Sequence, residues 1–236
     1  MNSASIAPVQ QIMLPGSPRI GVVLRRSKRA RRMSLRVSRL KGLVTLSLPI
    51  SCPMAQAEKF VFEKESWIRA HLADLPPTAE AMLGGTFLYQ GQLLTICPGQ
   101  GRQVRAIGEE LLVPGPEAMV GARVKAFLKL QARMRLQEAT ERYAVALGKP
   151  YGRLTLRDTT SRWGSCSTQG NINYSWRLIM APPEVLNYVA AHEVAHLAEM
   201  NHSARFWALV ERLFPNHAEQ RAWLREHGED LHRYLF

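Results

Sequence analysis

Residues 189–202 read VAAHEVAHLAEMNH, and residues 192–196 within them form the motif HExxH. Side chains four residues apart on an α-helix differ by about 40° around its axis, so His192 and His196 project from one face and could hold one metal ion. Glu193 lies about 100° round from His192, within reach of a water on that ion. Because the neighbouring residues are apolar, the stretch predicts a buried helix over residues 183–198.

A third protein ligand would leave one open position on a tetrahedral zinc ion. His202 lies six residues after His196, a spacing that resembles that of metzincins. Where metzincins have a turn-forming glycine this chain has Glu199, so we expect a bend at Met200 and Asn201, with Asn201 in a left-handed conformation. Three downstream residues compete for the role of third ligand: Glu211, His217 and Glu219.

This donor set predicts one zinc ion per chain and hydrolysis of peptide bonds by a metal-activated water, with Glu193 as general base. Two alternatives stay open. One is a zinc hydrolase of a non-peptide amide, and the other is a nucleic-acid-associated module with a non-catalytic zinc site. Glu193 argues against the second alternative, because a structural zinc site needs no general base.

The composition predicts a cytoplasmic globular protein. The uncharged, apolar stretch of residues 42–57 contains two prolines and is shorter than the ~20 apolar residues that a membrane span requires. The N-terminus has neither the basic region nor the apolar core of a signal peptide. Three cysteines without CxxC spacing indicate reduced thiols rather than a disulfide framework.

Charge is distributed unevenly along the chain. The net charge is +12, yet residues 151–236 contain nine Arg and nine Asp/Glu, so the whole excess lies in residues 1–150. The densest basic run supplies candidate contacts to a nucleic-acid backbone. Its members are Arg25, Arg26, Lys28, Arg29, Arg31 and Arg32. No motif for sequence-specific binding accompanies them, so the alternative is a solvated hairpin.

Patterning predicts an α+β protein with three parts. Residues 1–18 resemble a disordered tail, and residues 19–116 a basic, β-rich part with one helix over residues 57–74. Residues 117–236 would form the catalytic domain, with a long helix over residues 117–147, extended segments over 153–180 and helices over 203–213 and 217–227.

Several motifs in a fixed order resemble the YgjP-like metallopeptidase family, which is related to the SprT-like and WLM zinc peptidases. They are RWGSC at residues 162–166, GNIN at 170–173, HEVAH at 192–196 and NHS at 201–203. The resemblance implies a minimal zincin-like fold of active-site helix, backing helix and small sheet. It also implies His192, His196 and His202 as metal ligands and Glu193 as the catalytic residue.

The RWGSC segment has two interpretations. Arg162 and Trp163 are candidate cleft-lining residues, and the strand after them could bind an extended peptide through its backbone. Alternatively, Trp163 only covers the active-site helix. Cys166 is a candidate fourth, inhibitory zinc ligand, although a buried thiol that binds nothing is the simpler interpretation.

Overall fold

The computed structural model describes residues 10–38, 42–75 and 78–236. The chain divides into two compact units, Met1–Pro77 (unit 1) and Thr78–Phe236 (unit 2). The predicted boundary between residues 116 and 117 falls inside unit 2.

Unit 1 is a four-stranded sheet with two helices. Its strands are β1 (Gln11–Leu14), β2 (Ile20–Ser27), β3 (Ser34–Val37) and β4 (Val44–Pro49), and its helices are α1 (Met54–Glu63) and α2 (Glu65–Ala73). The strand order is β1-β2-β4-β3, with β2 and β4 parallel and the outer pairs antiparallel. Alternate residues of β2 and β4 are buried with Val61 and Ile68 of the helices, as expected for a sheet that has helices on one face.

Two predictions for this unit need correction. Residues 11–14 form strand β1, with Ile12 and Leu14 buried, so the predicted disordered tail over residues 1–18 is wrong there; residues 1–9 lie outside the described residues. The helix predicted over residues 57–74 is two helices, because the backbone leaves helical geometry at Lys64, with φ −98° and ψ 7°.

Unit 2 contains the remaining elements. Its strands are β5 (Ala79–Glu80), β6 (Thr86–Tyr89), β7 (Gln92–Gly99), β8 (Arg105–Ile107), β9 (Glu110–Pro114), β10 (Leu154–Arg157), β11 (Gly164–Cys166), β12 (Ile172–Ser175) and β13 (Tyr234–Leu235). Its α-helices are α3 (Val120–Leu147), α4 (Pro183–Ala195), α5 (Ala204–Leu213) and α6 (His217–His227). Short 3-10 helices occupy Glu117–Met119, Trp176–Met180 and Gly228–His232.

A four-stranded sheet, in the order β6-β7-β9-β8, begins this unit. Its inward side chains, including Phe87 and Ile96, share one hydrophobic core with Val124 and Leu128 of α3. The sheet therefore shares its core with α3, although its sequence pattern resembles that of the β-rich segments before it. For this reason the division of the chain lies at residue 77 rather than at residue 116.

The long helix α3 packs against α4, the helix that contains the HExxH motif. Residues of α3 are buried at every fourth position through its first half, which gives it one core-facing side: Val120, Val124, Leu128, Ala132 and Leu136. Gly148 ends it in a left-handed conformation with φ 71°, as a C-terminal glycine does. Nine of the thirteen residues of α4 are buried, so α4 lies inside the core rather than on its surface.

A three-stranded sheet, in the order β10-β12-β11, completes the surroundings of α4, and β11 contacts α4 directly. The mixed α+β prediction is therefore confirmed. No helix within the described parts of the chain is long and apolar enough to span a bilayer.

Candidate active site

Three histidines converge at the end of α4. His192 lies in its last turn, His196 caps it, and His202 lies in the loop just before the N-cap of α5. One ligand atom from each histidine lies within 4.8 Å of the other two, and the Nε2 atoms of His192 and His202 are 3.1 Å apart. Helix spacing explains the first pair, whereas His202 is brought in by the turn after the helix.

The bend predicted at Met200 and Asn201 is present, although its backbone differs from the prediction. Helix α4 ends at Ala195 rather than at residue 198, and the Glu199 amide donates to the Ala195 carbonyl oxygen at 3.1 Å. Among the described residues, only Gln90 and Asn216 have a positive φ without being glycine, so the predicted left-handed conformation of Asn201 is wrong. The chain reverses through a tightened turn after α4 and then the bend at Met200 and Asn201, and needs no glycine.

Helix α5 holds the far side of the cluster. Ser203 caps its N-terminus by accepting a hydrogen bond from the Phe206 amide at 3.4 Å. The buried Phe206 ring then lies 4.5–4.9 Å from all three histidine rings, measured between centroids. An apolar wall on this side limits the directions from which water can reach the histidines.

The donor set fits a zinc ion. Two nitrogens on one tetrahedral zinc at ~2.0–2.1 Å would be about 3.3 Å apart, close to the separation between His192 and His202. Nδ1 of His196 lies 3.0 Å from the Glu199 carbonyl oxygen, which leaves Nε2 of that ring for a metal. Burial lowers the pKa of His192 to about 3 and also lowers the pKa of His196, so both rings are in the neutral form that binds metals.

The competing third ligands lie elsewhere. His217 Nδ1 is 2.6 Å from the Glu211 carboxylate, and its ring stacks on Trp207 at 5.3 Å. Glu219 lies in the first turn of α6. Within the described residues, the metal-competent cluster contains only His192, His196 and His202.

Glu193 of α4 lies against strand β11. Its side chain is 5% exposed, and Oε2 has no hydrogen-bond partner among the described residues. Burial raises the pKa of the Glu193 carboxyl to about 8, and the positive charge of Arg162 partly opposes this. A buried carboxyl without a partner costs free energy, so it is retained for a reason other than stability.

Gly164, which the sequence reasoning missed, provides the space for this carboxyl. A Cβ on Gly164 would lie 2.6 Å from Cγ and Cδ of Glu193, far inside van der Waals contact. The glycine of the RWGSC motif could have indicated this contact, because a glycine inside a strand often marks the close approach of another group. Spacing alone could not identify Glu193 as that group.

A sequence model of the YgjP-like metallopeptidase domain matches residues 31–227. The chain belongs to this family. The match covers most of the chain, including the three histidines, Glu193 and the RWGSC segment. As a family of metallopeptidases, the YgjP-like proteins imply a metal ion and protein or peptide substrates.

Two solved structures resemble part of this YgjP-like chain. The metallopeptidase zymogen abylysin of Pyrococcus abyssi is 24% identical, with a TM-score of 0.35, over 38% of this chain and 93% of abylysin. The zymogen jannalysin of Methanocaldococcus jannaschii is 14% identical, with a TM-score of 0.35, over 39% of this chain and 94% of jannalysin. These TM-scores are too low for any argument about the site. No curated protein sequence matches the chain.

Arg162 and Trp163 line a cavity of about 290 Å³ together with Gly164 and Ser165 of β11. Arg162 is exposed, and its charge acts on Glu193. Trp163 is half-buried, and its ring centroid lies 5.1 Å from that of His232. Trp163 therefore lines the cavity, and its ring packs on the C-terminal residues.

Cys166 is half-buried on β11 and belongs to no metal-competent cluster in the described chain. Burial and the nearby charge of Glu193 raise the pKa of its thiol to about 11. A protonated thiol is a poor zinc ligand, so these observations favour the simpler interpretation of Cys166.

All six basic candidates of the YgjP-like chain are exposed and lie on β2 or in the loop before β3: Arg25, Arg26, Lys28, Arg29, Arg31 and Arg32. Arg26 differs, because its Nη1 donates to the carbonyl oxygens of Ile50 and Cys52, both at 2.8 Å. Arg26 therefore stabilises the loop after β4.

Proposed function

We propose that this chain is a zinc peptidase in which His192, His196 and His202 hold one zinc ion and Glu193 is the general base. The observation that carries the proposal is the juxtaposition of three imidazoles with a buried carboxylate oxygen that has no hydrogen-bond partner among the described residues. A structural zinc site would need the imidazoles only.

The roles follow from the surroundings of each residue. The histidines hold the ion, which when bound supplies Lewis-acid chemistry and lowers the pKa of water to roughly 7. Glu193 must be ionised to accept a proton, and both Arg162 and a cation on the histidines favour its ionised form. The carboxylate then takes a proton from the attacking water and delivers it to the leaving amine.

A peptide substrate is supported by strand β11. In the order β10-β12-β11 this strand is at the sheet edge and pairs on one side, with β12. An extended peptide could add to the other edge through backbone hydrogen bonds, which is how many proteins bind peptides. A hydrolase of small amides would gain nothing from such an edge.

Purified protein should contain about one zinc per chain and cleave fluorescently labelled casein until a chelator removes the metal. Glu193→Gln should keep the zinc and lose about 10²-fold or more of the cleavage rate, since the amide cannot accept the proton. The matched control is Glu184→Gln, an exposed glutamate on the same helix.

Elemental analysis and initial rates decide the outcome. Cleavage by Glu193→Gln at the wild-type rate would contradict the role of the base. A zinc-loaded wild type that hydrolyses only small amides and no protein would contradict the peptidase assignment.

Contact with nucleic acid is a secondary proposal, and the cytoplasmic location stays a prediction. Residues 1–77 contain 13 Lys/Arg and 4 Asp/Glu, a net charge of +9, against 18 and 15, or +3, in residues 78–236. Exposed cations near a phosphate backbone release counterions, which makes binding depend on salt.

The double variant Arg31→Gln, Arg32→Gln should reduce the slope of log affinity against log salt by about 0.7 per lost contact with single-stranded DNA. Lys129→Gln, Arg133→Gln on α3 removes the same charge from exposed positions and serves as control. Equal effects of the two double variants would reduce the proposal to non-specific attraction by net charge.

A further inference from the structure

We propose that the C-terminal segment, residues 228–236, positions the general base: it holds the Trp163 ring and thereby keeps Gly164 against Glu193. The inference rests on the proposed function. The segment comprises the 3-10 helix Gly228–His232 and strand β13, and it lies outside residues 31–227, which the family model matches.

A buried arginine ties this segment to the core. Arg177 is 8% exposed, and its Nε donates to Asp158 at 2.7 Å. Its Nη1 donates to the carbonyl oxygens of Leu231 at 2.9 Å and Tyr234 at 3.2 Å. The guanidinium also lies 5.8 Å from the ring centroid of Phe236. A buried cation with these partners fixes the backbone of the segment in one place.

The segment in turn surrounds the Trp163 indole. A Cβ on Gly228 would lie 3.0 Å from Cζ2 of Trp163, so the ring packs directly on the glycine backbone. On another side, the His232 ring lies 5.1 Å from the indole. Burial lowers the pKa of His232 to about 4, so this ring is uncharged at neutral pH and packs as an aromatic.

Trp163 is joined directly to the glycine that the base contacts. Its carbonyl oxygen accepts a hydrogen bond from the Ser175 amide at 2.8 Å, and Gly164 pairs with Tyr174 in the antiparallel ladder. Strand β11 has three residues and one neighbouring strand, so few bonds hold it. The packing of Trp163 is therefore a large part of what sets the distance between Gly164 and the Glu193 carboxyl.

The segment has a second attachment that does not involve Trp163. Strand β13 pairs in parallel with β5, and the Phe236 backbone lies 3.3 Å from where a Cβ on Gly121 of α3 would be. This attachment provides a control, because it can be disturbed without touching the indole.

The test compares His232→Ala, His232→Phe and Gly121→Ala in the full chain loaded with zinc. His232→Ala should lower kcat for labelled casein about tenfold with KM and zinc content unchanged, since a displaced base loses orientation. It should also speed amide hydrogen exchange across Gly164–Cys166. His232→Phe, which keeps a ring against Trp163, should restore both, and Gly121→Ala should leave both as in the wild type.

Unchanged exchange across β11 in His232→Ala would overturn the proposal, as would an equal loss in Gly121→Ala. Loss of zinc from His232→Ala would also overturn it, because the segment would then act on the ligands rather than on the base. If the wild type cleaves no casein, the proposed function fails, while hydrogen exchange in the same variants still tests the support of β11.

Discussion

The two sides of the candidate active site are built in different ways. On one side, three histidines lie within eleven residues of sequence, on a helix and the turn that follows it. On the other side, Glu193 lies against Gly164, a residue 29 positions earlier on a separate strand. Local periodicity alone brings His192 and His196 together, whereas the position of Glu193 depends on a contact between distant elements.

The two sides should therefore respond differently to substitution. A change on the histidine side should remove the metal, and a change on the glutamate side should leave the metal and impair the chemistry. Zinc content and kcat, measured on the same protein, separate these effects.

The largest expected effect comes from the histidine side. His202→Ala should reduce zinc from about one per chain to a small fraction and abolish cleavage. Loss of even an outer-shell partner costs ~10–100-fold, and a ligand should cost more. His217→Ala is the control, because His217 pairs with Glu211 and does not belong to the metal-competent cluster. Full zinc in His202→Ala, or zinc loss in His217→Ala, would show that the third ligand is misassigned.

The next effect comes from the glutamate side. In Gly164→Ala the new methyl group must displace the Glu193 carboxyl, since its Cβ would lie 2.6 Å from Cδ of that residue. A misplacement of about 1 Å can cost ~10²-fold in rate, so kcat should fall by roughly that factor with zinc retained. Gly21→Ala, a strand glycine whose Cβ would meet the flexible Gln11 side chain, should change kcat little. Wild-type kcat in Gly164→Ala would mean that Glu193 works from another position.

The smallest effect is expected two residues further along β11. Cys166→Ser should leave zinc content unchanged and kcat within about twofold, as for substitutions without a structural role. The thiol is protonated and outside the histidine cluster, so the serine replaces a group that binds no metal. A marked rise in kcat would instead identify Cys166 as an inhibitory ligand.

The sequence predicted the features that depend on local signals and missed those that depend on contacts between distant residues. Helix periodicity placed His192 and His196 on one face, Pro183 marked the start of α4, and Gly148 marked the end of α3. These signals are local, and the structure contains each of them. The bend at Met200 and Asn201 that brings in His202 was predicted correctly, but Asn201 has no left-handed conformation.

The missed features depend on contacts between distant parts of the chain. Strand β1 has only two buried side chains, Ile12 and Leu14, too few for a visible pattern next to two prolines. The sheet of β6 to β9 resembles the earlier β-rich segments but shares its core with α3. The spacing of residues in the sequence does not predict the contact of Gly164 with Glu193.

Strand β13 pairs with β5, so Tyr234 lies opposite Ala79, 155 residues earlier. During synthesis on the ribosome, β5 emerges long before its partner exists, and Arg177 has no Leu231 or Tyr234 carbonyl to bind. Native contacts can form only between residues that have already been made. The histidines can thus gather before residues 228–236 have been made, whereas the proposed support of β11 requires those residues, so hydrolysis would begin only after they have emerged.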